Sequence, residues 1–142
     1  MDKIPDVQLL LIGLGTEKFA SRAGCHGLGQ RGDVARLLCA CDLIVSSSAY
    51  GEGVSNALAE GMAAGLPAIA TDVGDAARIV GDSGRIVPPG DADALAAAIH
   101  ELAFEPLTFR AARKIHARAL IEKRYSVARN LANFEQAYGS LA

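Results

Sequence analysis

Short apolar runs alternate with amphipathic stretches along this chain. Residues 7–12 (Val7-Gln8-Leu9-Leu10-Leu11-Ile12) form a run that stops at Gly13-Leu14-Gly15. Such a run followed by glycines predicts a buried parallel strand and a turn. A short helix is expected over about 16–23. Asp33 is a good N-cap for a helix over 34–40, with Val34, Leu37, Leu38 and Cys41 on one stripe. A second strand is expected over 43–45 and a helix over 54–64, which Gly65 and Pro67 stop. Strands over 68–71 and 85–87 flank a helix over 75–80 that Asp75 opens. Asp91 caps an Ala-rich helix to about 102. Two further helices are expected over 107–123 and 126–141. Ala112, Ile115 and Ala119 would form the packing stripe of the first, and Leu131, Phe134 and Tyr138 that of the second. Strands alternating with helices at short spacing predict the α/β class, a parallel sheet with crossover helices.

Composition narrows the function classes. At 142 residues one domain is expected, and 51% hydrophobic content supports a buried core. The net charge is −2, with no basic block, which argues against nucleic acid as a partner. No apolar run reaches the ~18 residues that span a bilayer, and Met1-Asp2-Lys3-Ile4-Pro5 does not read as a signal peptide. Three cysteines, Cys25, Cys39 and Cys41, suit a reducing, cytoplasmic setting better than a disulfide framework.

Several patterns that suggest chemistry have plainer explanations. Gly27-Leu28-Gly29-Gln30-Arg31-Gly32 matches G-x-G-x-x-G, but no strand is predicted before it, so it reads as a glycine-rich connection. Gly13 and Gly15 do follow a strand; Lys18 breaks the fingerprint there, and the pair reads as a strand end lining a cleft. Cys39 and Cys41 would point to different helix faces, which favours core cysteines over zinc. Asp91-Ala92-Asp93 is accounted for by the N-cap rather than by a metal. His100 and His116 read as surface or packing residues. Ser46-Ser47-Ser48 lacks the G-x-S-x-G form of a nucleophile elbow, with Ser48 kept as a cleft-lining residue.

The richest segment is Tyr50-Gly51-Glu52-Gly53-Val54-Ser55-Asn56-Ala57-Leu58-Ala59-Glu60. Two acids eight residues apart bracket the start of a helix at the carboxyl end of a strand, where open α/β sheets bind ligands. Free N–H groups at a helix start form an anion site. Gly51 and Gly53 let backbone approach a ligand. Glu60 lies between Leu58 and Met62 rather than in a charge run. An anion carrying hydroxyls, such as a nucleotide sugar, fits this arrangement.

Residues 47–74, with 28–38 upstream and 84–91 downstream, resemble the signature of retaining GT-B glycosyltransferases of the group 1 (family 4) type. These read E-G-F-x-N-x-x-x-E-A-M-A-x-G-x-P. The resemblance implies that residues 1–142 are the C-terminal donor-binding domain, a Rossmann-like parallel sheet with flanking helices, without the N-terminal acceptor domain. It implies retaining, metal-independent transfer from a nucleotide-diphosphate sugar with no cofactor. Glu52 would meet donor-sugar hydroxyls near the reacting centre, and Glu60 the ribose hydroxyls. The N–H groups of Gly53, Val54 and Ser55, beside Asn56, would face sugar and diphosphate; Gln30 and Arg31 would lie near the base. Val54 and Ser55 replace the family's Phe and Pro, and Gly61 its Ala, a minor change by sequence. The family's diphosphate-pairing Arg and Lys, expected upstream of 7–12, are not in this sequence, and 15–29 reads as a trimmed helix. Catalysis would need an N-terminal partner domain, with peripheral membrane association through the full enzyme. An exposed apolar face is expected where that domain docks. A non-catalytic nucleotide-binding module is the competing reading. A receiver-like domain is disfavoured because Gly13-Leu14-Gly15 stands where its acidic cluster belongs.

Overall fold

The computed structural model describes residues 7–20, 22–51 and 53–139. Among the described residues there are five strands, all paired in parallel. β1 (Leu9–Leu11) pairs with β2 (Cys25–Gly27), Leu10 standing opposite His26. β3 (Ile44–Ser46), β4 (Ala68–Thr71) and β5 (Arg85–Val87) form a second sheet with β4 at its centre. Among the described residues no ladder joins the two sheets, so β1 and β3 each keep one open edge. The expected single sheet is thus two parallel ones. The α/β Rossmann-like class holds.

β4 is buried along its whole length. On one face α2 (Asn56–Ala63), α3 (Ala76–Val80) and α5 (Leu107–Tyr125) cover it. Leu58, Met62, Ile79, Val80, Ala117 and Ile121 pack there against Ala68 and Ala70. On the other face α4 (Ala92–Ala103) lays Ala98 and Leu102 on Ile69 and Val87. Alternating strand residues serve opposite faces, which is why Ala-Ile-Ala can hold two helical layers. Small residues set the spacing. A Cβ on Gly84 would lie 1.8 Å from the Ala68 carbonyl oxygen. A Cβ on Gly61 would lie 2.8 Å from the Ile44 Cβ, where α2 crosses β3. The Ala-to-Gly departure at position 61 is therefore a packing choice and not the minor change read from sequence.

Four local expectations change. β2 was not expected, since Cys25-His26-Gly27 contains no apolar run; its backbone pairing with β1 makes the strand. The glycine motif at 27–32 therefore does follow a strand, yet its glycines serve packing. A Cβ on Gly27 would lie 1.9 Å from the Thr16 carbonyl oxygen, and Gly29 has φ +68°. The expected helix at 16–23 is a single 3-10 turn, Thr16–Phe19. Asp33 precedes α1 (Val34–Leu38) without capping it, because Arg31 takes both of its carboxylate oxygens at 2.8 Å. Asp91 caps α4 as expected, accepting from the Ala94 N–H at 2.8 Å.

The helix faces also differ from expectation. Ala112, Ile115 and Ala119 are exposed on α5; the buried stripe is Ala117 and Ile121. The sheet and α2 lie against that other face, and tertiary packing selects it. α6 (Val127–Gly139) has no buried residue among those described, and Leu131, Phe134 and Tyr138 are exposed on it. Of the cysteines only Cys25 is buried; Cys39 is exposed, and its thiol donates to the Ala35 carbonyl at 3.3 Å. The exposed Cys39 corrects the reading of core cysteines. Cys41 is half-buried, and desolvation raises its thiol pKa.

Ion pairs differ in depth. Arg113 and Glu105 meet at 3.0 Å with side chains only 18% and 9% exposed, fixing the turn between α4 and α5. Arg118 and Glu122 meet at 2.9 Å on the open face of α5. Arg113→Ala strands a buried carboxylate and should destabilise the fold by about 2–3 kcal/mol. Arg118→Ala should cost less than about 0.5 kcal/mol, and urea midpoints measure the difference. Gly61→Ala should gain roughly 1 kcal/mol of helix propensity and lose about 1–3 kcal/mol to overpacking against Ile44. The expected net is a lower thermal midpoint; a raised midpoint would show that α2 can move off β3.

Candidate functional site

Parallel strands deliver the chain ends of β1, β2, β3 and β4 to their carboxyl sides, and the sequence-predicted residues fall there in two groups. The first follows β3. Residues 47–51 and 53–55 lead from the strand into α2, and two backbone ties hold this loop. Thr71, the last residue of β4, donates its hydroxyl to the Ser48 carbonyl at 2.6 Å. The Asp75 N–H donates to the Gly53 carbonyl at 3.0 Å, fastening the loop to the start of α3. Thr71 is buried, so the first bond is shielded from water. Ser48 thus belongs to the loop's support.

Ser55 stands at the N-cap of α2, is itself buried and makes no side-chain cap bond. Its carbonyl accepts from the Ala59 N–H at 3.2 Å. The first N–H groups of α2 are thus uncapped by the residue best placed to cap them, a polar end with a positive dipole. Asn56 opens the helix and is exposed. Glu60 follows one turn on with its side chain on the exposed face. Gly53 is exposed, and Val54 is 52% exposed. Glu52 lies outside the described residues.

The second group follows β1 and β2. Gly13 has φ +138° and Gly15 φ +79°, and a Cβ on either would meet nothing within 4 Å. The Gly13 N–H donates to the Gly29 carbonyl at 2.8 Å. Thr16, which sequence reasoning passed over, is the pin of this corner. Its hydroxyl donates to the Gly13 carbonyl at 2.9 Å and accepts from the Gly29 N–H at 2.9 Å. A hydroxyl one position after G-x-G was the available signal. Gln30 and Arg31 are exposed on the following loop. Arg31 is committed to Asp33, which it holds below the usual carboxylate range by its hydrogen bond. Each group is thus gathered at a strand end, Gly53, Val54, Ser55, Asn56 and Glu60 on one sheet and Gly13, Gly15, Gln30 and Arg31 on the other.

Large apolar side chains stand exposed on both loops: Leu14 at 89% and Tyr50 at 86%. Val54, further along the second loop, is 52% exposed. Among the described residues no three of His, Cys, Asp and Glu come together as a metal site. None of the described helices is long and apolar enough to cross a membrane. Asp91 caps α4, and His100 is an exposed residue whose ring lies 4.9 Å from that of Phe104.

Comparison with known proteins places this geometry. The family described as glycosyl transferases group 1 matches residues 1–104. The phosphatidyl-myo-inositol mannosyltransferase of Mycolicibacterium smegmatis is 36% identical over 107 residues, 68% of this chain and 28% of the relative. That of Mycobacterium leprae is 37% identical over 109 residues, 70% of this chain and 29% of the relative. Among solved structures, Anabaena Alr3699/HepE in complex with UDP superposes with a TM-score of 0.83 at 26% identity, covering 96% of this chain and 42% of that one. Sucrose-phosphate synthase of Thermosynechococcus elongatus gives 0.83 at 26% identity, covering 97% and 39%. The chain therefore spans under half the length of these proteins. It belongs to the group 1 glycosyltransferases, a family of glycosyl-transferring enzymes with the GT-B fold.

Proposed function

We propose that this chain is the C-terminal donor-binding domain of a glycosyltransferase acting on a nucleotide-diphosphate sugar, with retention at the anomeric carbon. The observation that carries the reading is the N-terminus of α2, which the Ser55 side chain leaves uncapped, at the carboxyl end of a parallel strand, with Glu60 exposed one turn along. Departure of a nucleoside diphosphate builds negative charge on the leaving oxygens. Oriented N–H groups of Gly53, Val54 and Ser55, with the helix dipole behind them, stabilise that charge without a metal. Because the Thr71 and Asp75 bonds fix the loop beforehand, little reorganisation is needed when charge develops.

In this reading Glu60 accepts hydrogen bonds from the ribose hydroxyls, and Glu52 contacts donor-sugar hydroxyls near the reacting centre. Asn56 stands beside the diphosphate. Gly13 and Gly15 leave open space for the nucleotide, and Gln30 and Arg31 stand near the base. Arg31 would use the guanidinium edge not engaged by Asp33. An acceptor-binding domain supplied by the longer protein would dock on the exposed Leu14, Tyr50 and Val54 and complete the cleft, so the isolated chain binds donor without transferring it. The setting is the cytoplasm, with peripheral membrane association belonging to the full enzyme. Support comes from the family, and from a structural relative whose complex contains UDP.

Calorimetric titration with UDP-, GDP- and ADP-sugars tests this, with Glu60→Ala alongside. One nucleotide should bind, and the variant should weaken it about tenfold or more, as for loss of a charged hydrogen-bond acceptor. Equal affinity in wild type and variant would remove Glu60 from the site and with it the reading.

A further inference from the structure

Cations are unevenly placed on this molecule. The chain holds 14 Lys and Arg against 16 Asp and Glu. Yet a cavity of about 720 Å³ where α3, the end of α5 and the start of α6 meet is lined by Arg78, Lys123, Arg124, Tyr125, Arg129 and Asn133. That lining carries four cations and no carboxylate. A neighbouring cavity of about 340 Å³ shares Lys123 and Arg124 and contributes His116 and Asp82.

The cluster is held in place rather than loosely gathered. Arg78 bonds Asp75 at 2.7 Å and stands 5.9 Å over the Tyr125 ring. The Arg124 guanidinium donates to the Arg78 carbonyl at 3.2 Å, tying the end of α5 to α3. Ser126 accepts from the Arg129 N–H at 3.3 Å, setting the first turn of α6. The side chains of Lys123 and Arg129 have no ion-pair or hydrogen-bond partner among the described residues. Among the described residues Asp75 is the only acid bonded to any of the four. Like charges brought to one concave surface repel each other, and a bound anion lowers that repulsion.

We propose that this cluster is an oxyanion site that takes a phosphoryl group. Arginine forks and a lysine point charge are the set that matches phosphate oxygens, and the Asn133 amide adds a neutral donor. The phosphoryl group belongs either to a soluble phosphate ester or diphosphate or to a phospholipid headgroup at a membrane surface. None of the six lining residues is used in the nucleotide-sugar reading; the start of α2, which that reading gives a diphosphate, is untouched in a cluster variant, so the loss in that variant reads the cluster alone.

The test titrates the 142-residue chain with inorganic pyrophosphate at constant low ionic strength. It is repeated with Lys123→Glu/Arg129→Glu and with a charge-matched control, Arg22→Glu/Arg36→Glu. A parallel arm sediments the same proteins with phosphatidylcholine vesicles, with and without phosphatidylglycerol. Binding of either probe should weaken about tenfold or more in the cluster variant. It should change by no more than about twofold in the control. Binding to pyrophosphate alone identifies a soluble ligand, and to the anionic vesicles alone a headgroup. The proposal is overturned if neither probe binds, if the cluster variant keeps its affinity, or if the control loses as much. Should circular dichroism show the reversal pair misfolded, Lys123→Gln/Arg129→Gln carries the same comparison.

Discussion

Burial of β4 on both faces is the constraint on which the rest of this structure depends. A strand with helices above and below can accept no charged side chain and needs a ladder on each edge. Ala68-Ile69-Ala70-Thr71 meets the first demand, and β3 and β5 meet the second. The helices lie close on the sheet, so a Cβ at Gly84 would meet the Ala68 carbonyl oxygen and Val80, and one at Gly61 would meet Ile44 of β3. The one polar residue of the strand, Thr71, sits at its carboxyl end, where its hydroxyl can reach outward to the Ser48 carbonyl. The loop that carries the candidate site is thus fixed by the strand that carries the core.

Much of this was legible in the sequence because local signals and burial agree. The strands at 68–71 and 85–87 and the Asp91 cap are where pattern and turn chemistry place them. Legibility fails where a partner decides. β2 has three residues and one apolar side chain, and only β1 makes it a strand. Asp33 has the right residue type and position for a cap, but Arg31 competes for its carboxylate and wins with two charge-assisted bonds. The α5 stripe was misassigned because Ala-rich helices offer more than one plausible face, and the sheet selects Ala117 and Ile121. At the candidate site the helix start and the exposed Glu60 follow from sequence. The Thr16 pin and the Thr71 tie do not, since their partners lie 13 and 23 residues away.

The two sheets explain how the candidate residues come in two sets. Parallel pairing gives the strands of each sheet the same sense, so within each sheet the turns that follow the strands emerge at one end. Gly13, Gly15, Gln30 and Arg31 ride on the β1–β2 pair, and Gly53 through Glu60 on the β3–β4–β5 sheet. The strand edges left open on β1 and β3 mean that hydrogen bonding within each sheet, rather than across them, fixes each set internally.

The bareness of α6 bears on stability. A helix with no buried residue loses little apolar burial when it opens, so its local unfolding lies at the low end of the molecule's range. Arg129 travels with that helix, while Arg78, Lys123 and Arg124 stay on elements rooted in the core. An anion held between them would clasp the last helix to the body of the fold. Its affinity would carry the cost of ordering α6, and amide exchange along α6 would slow as the ligand binds, the two being linked reciprocally.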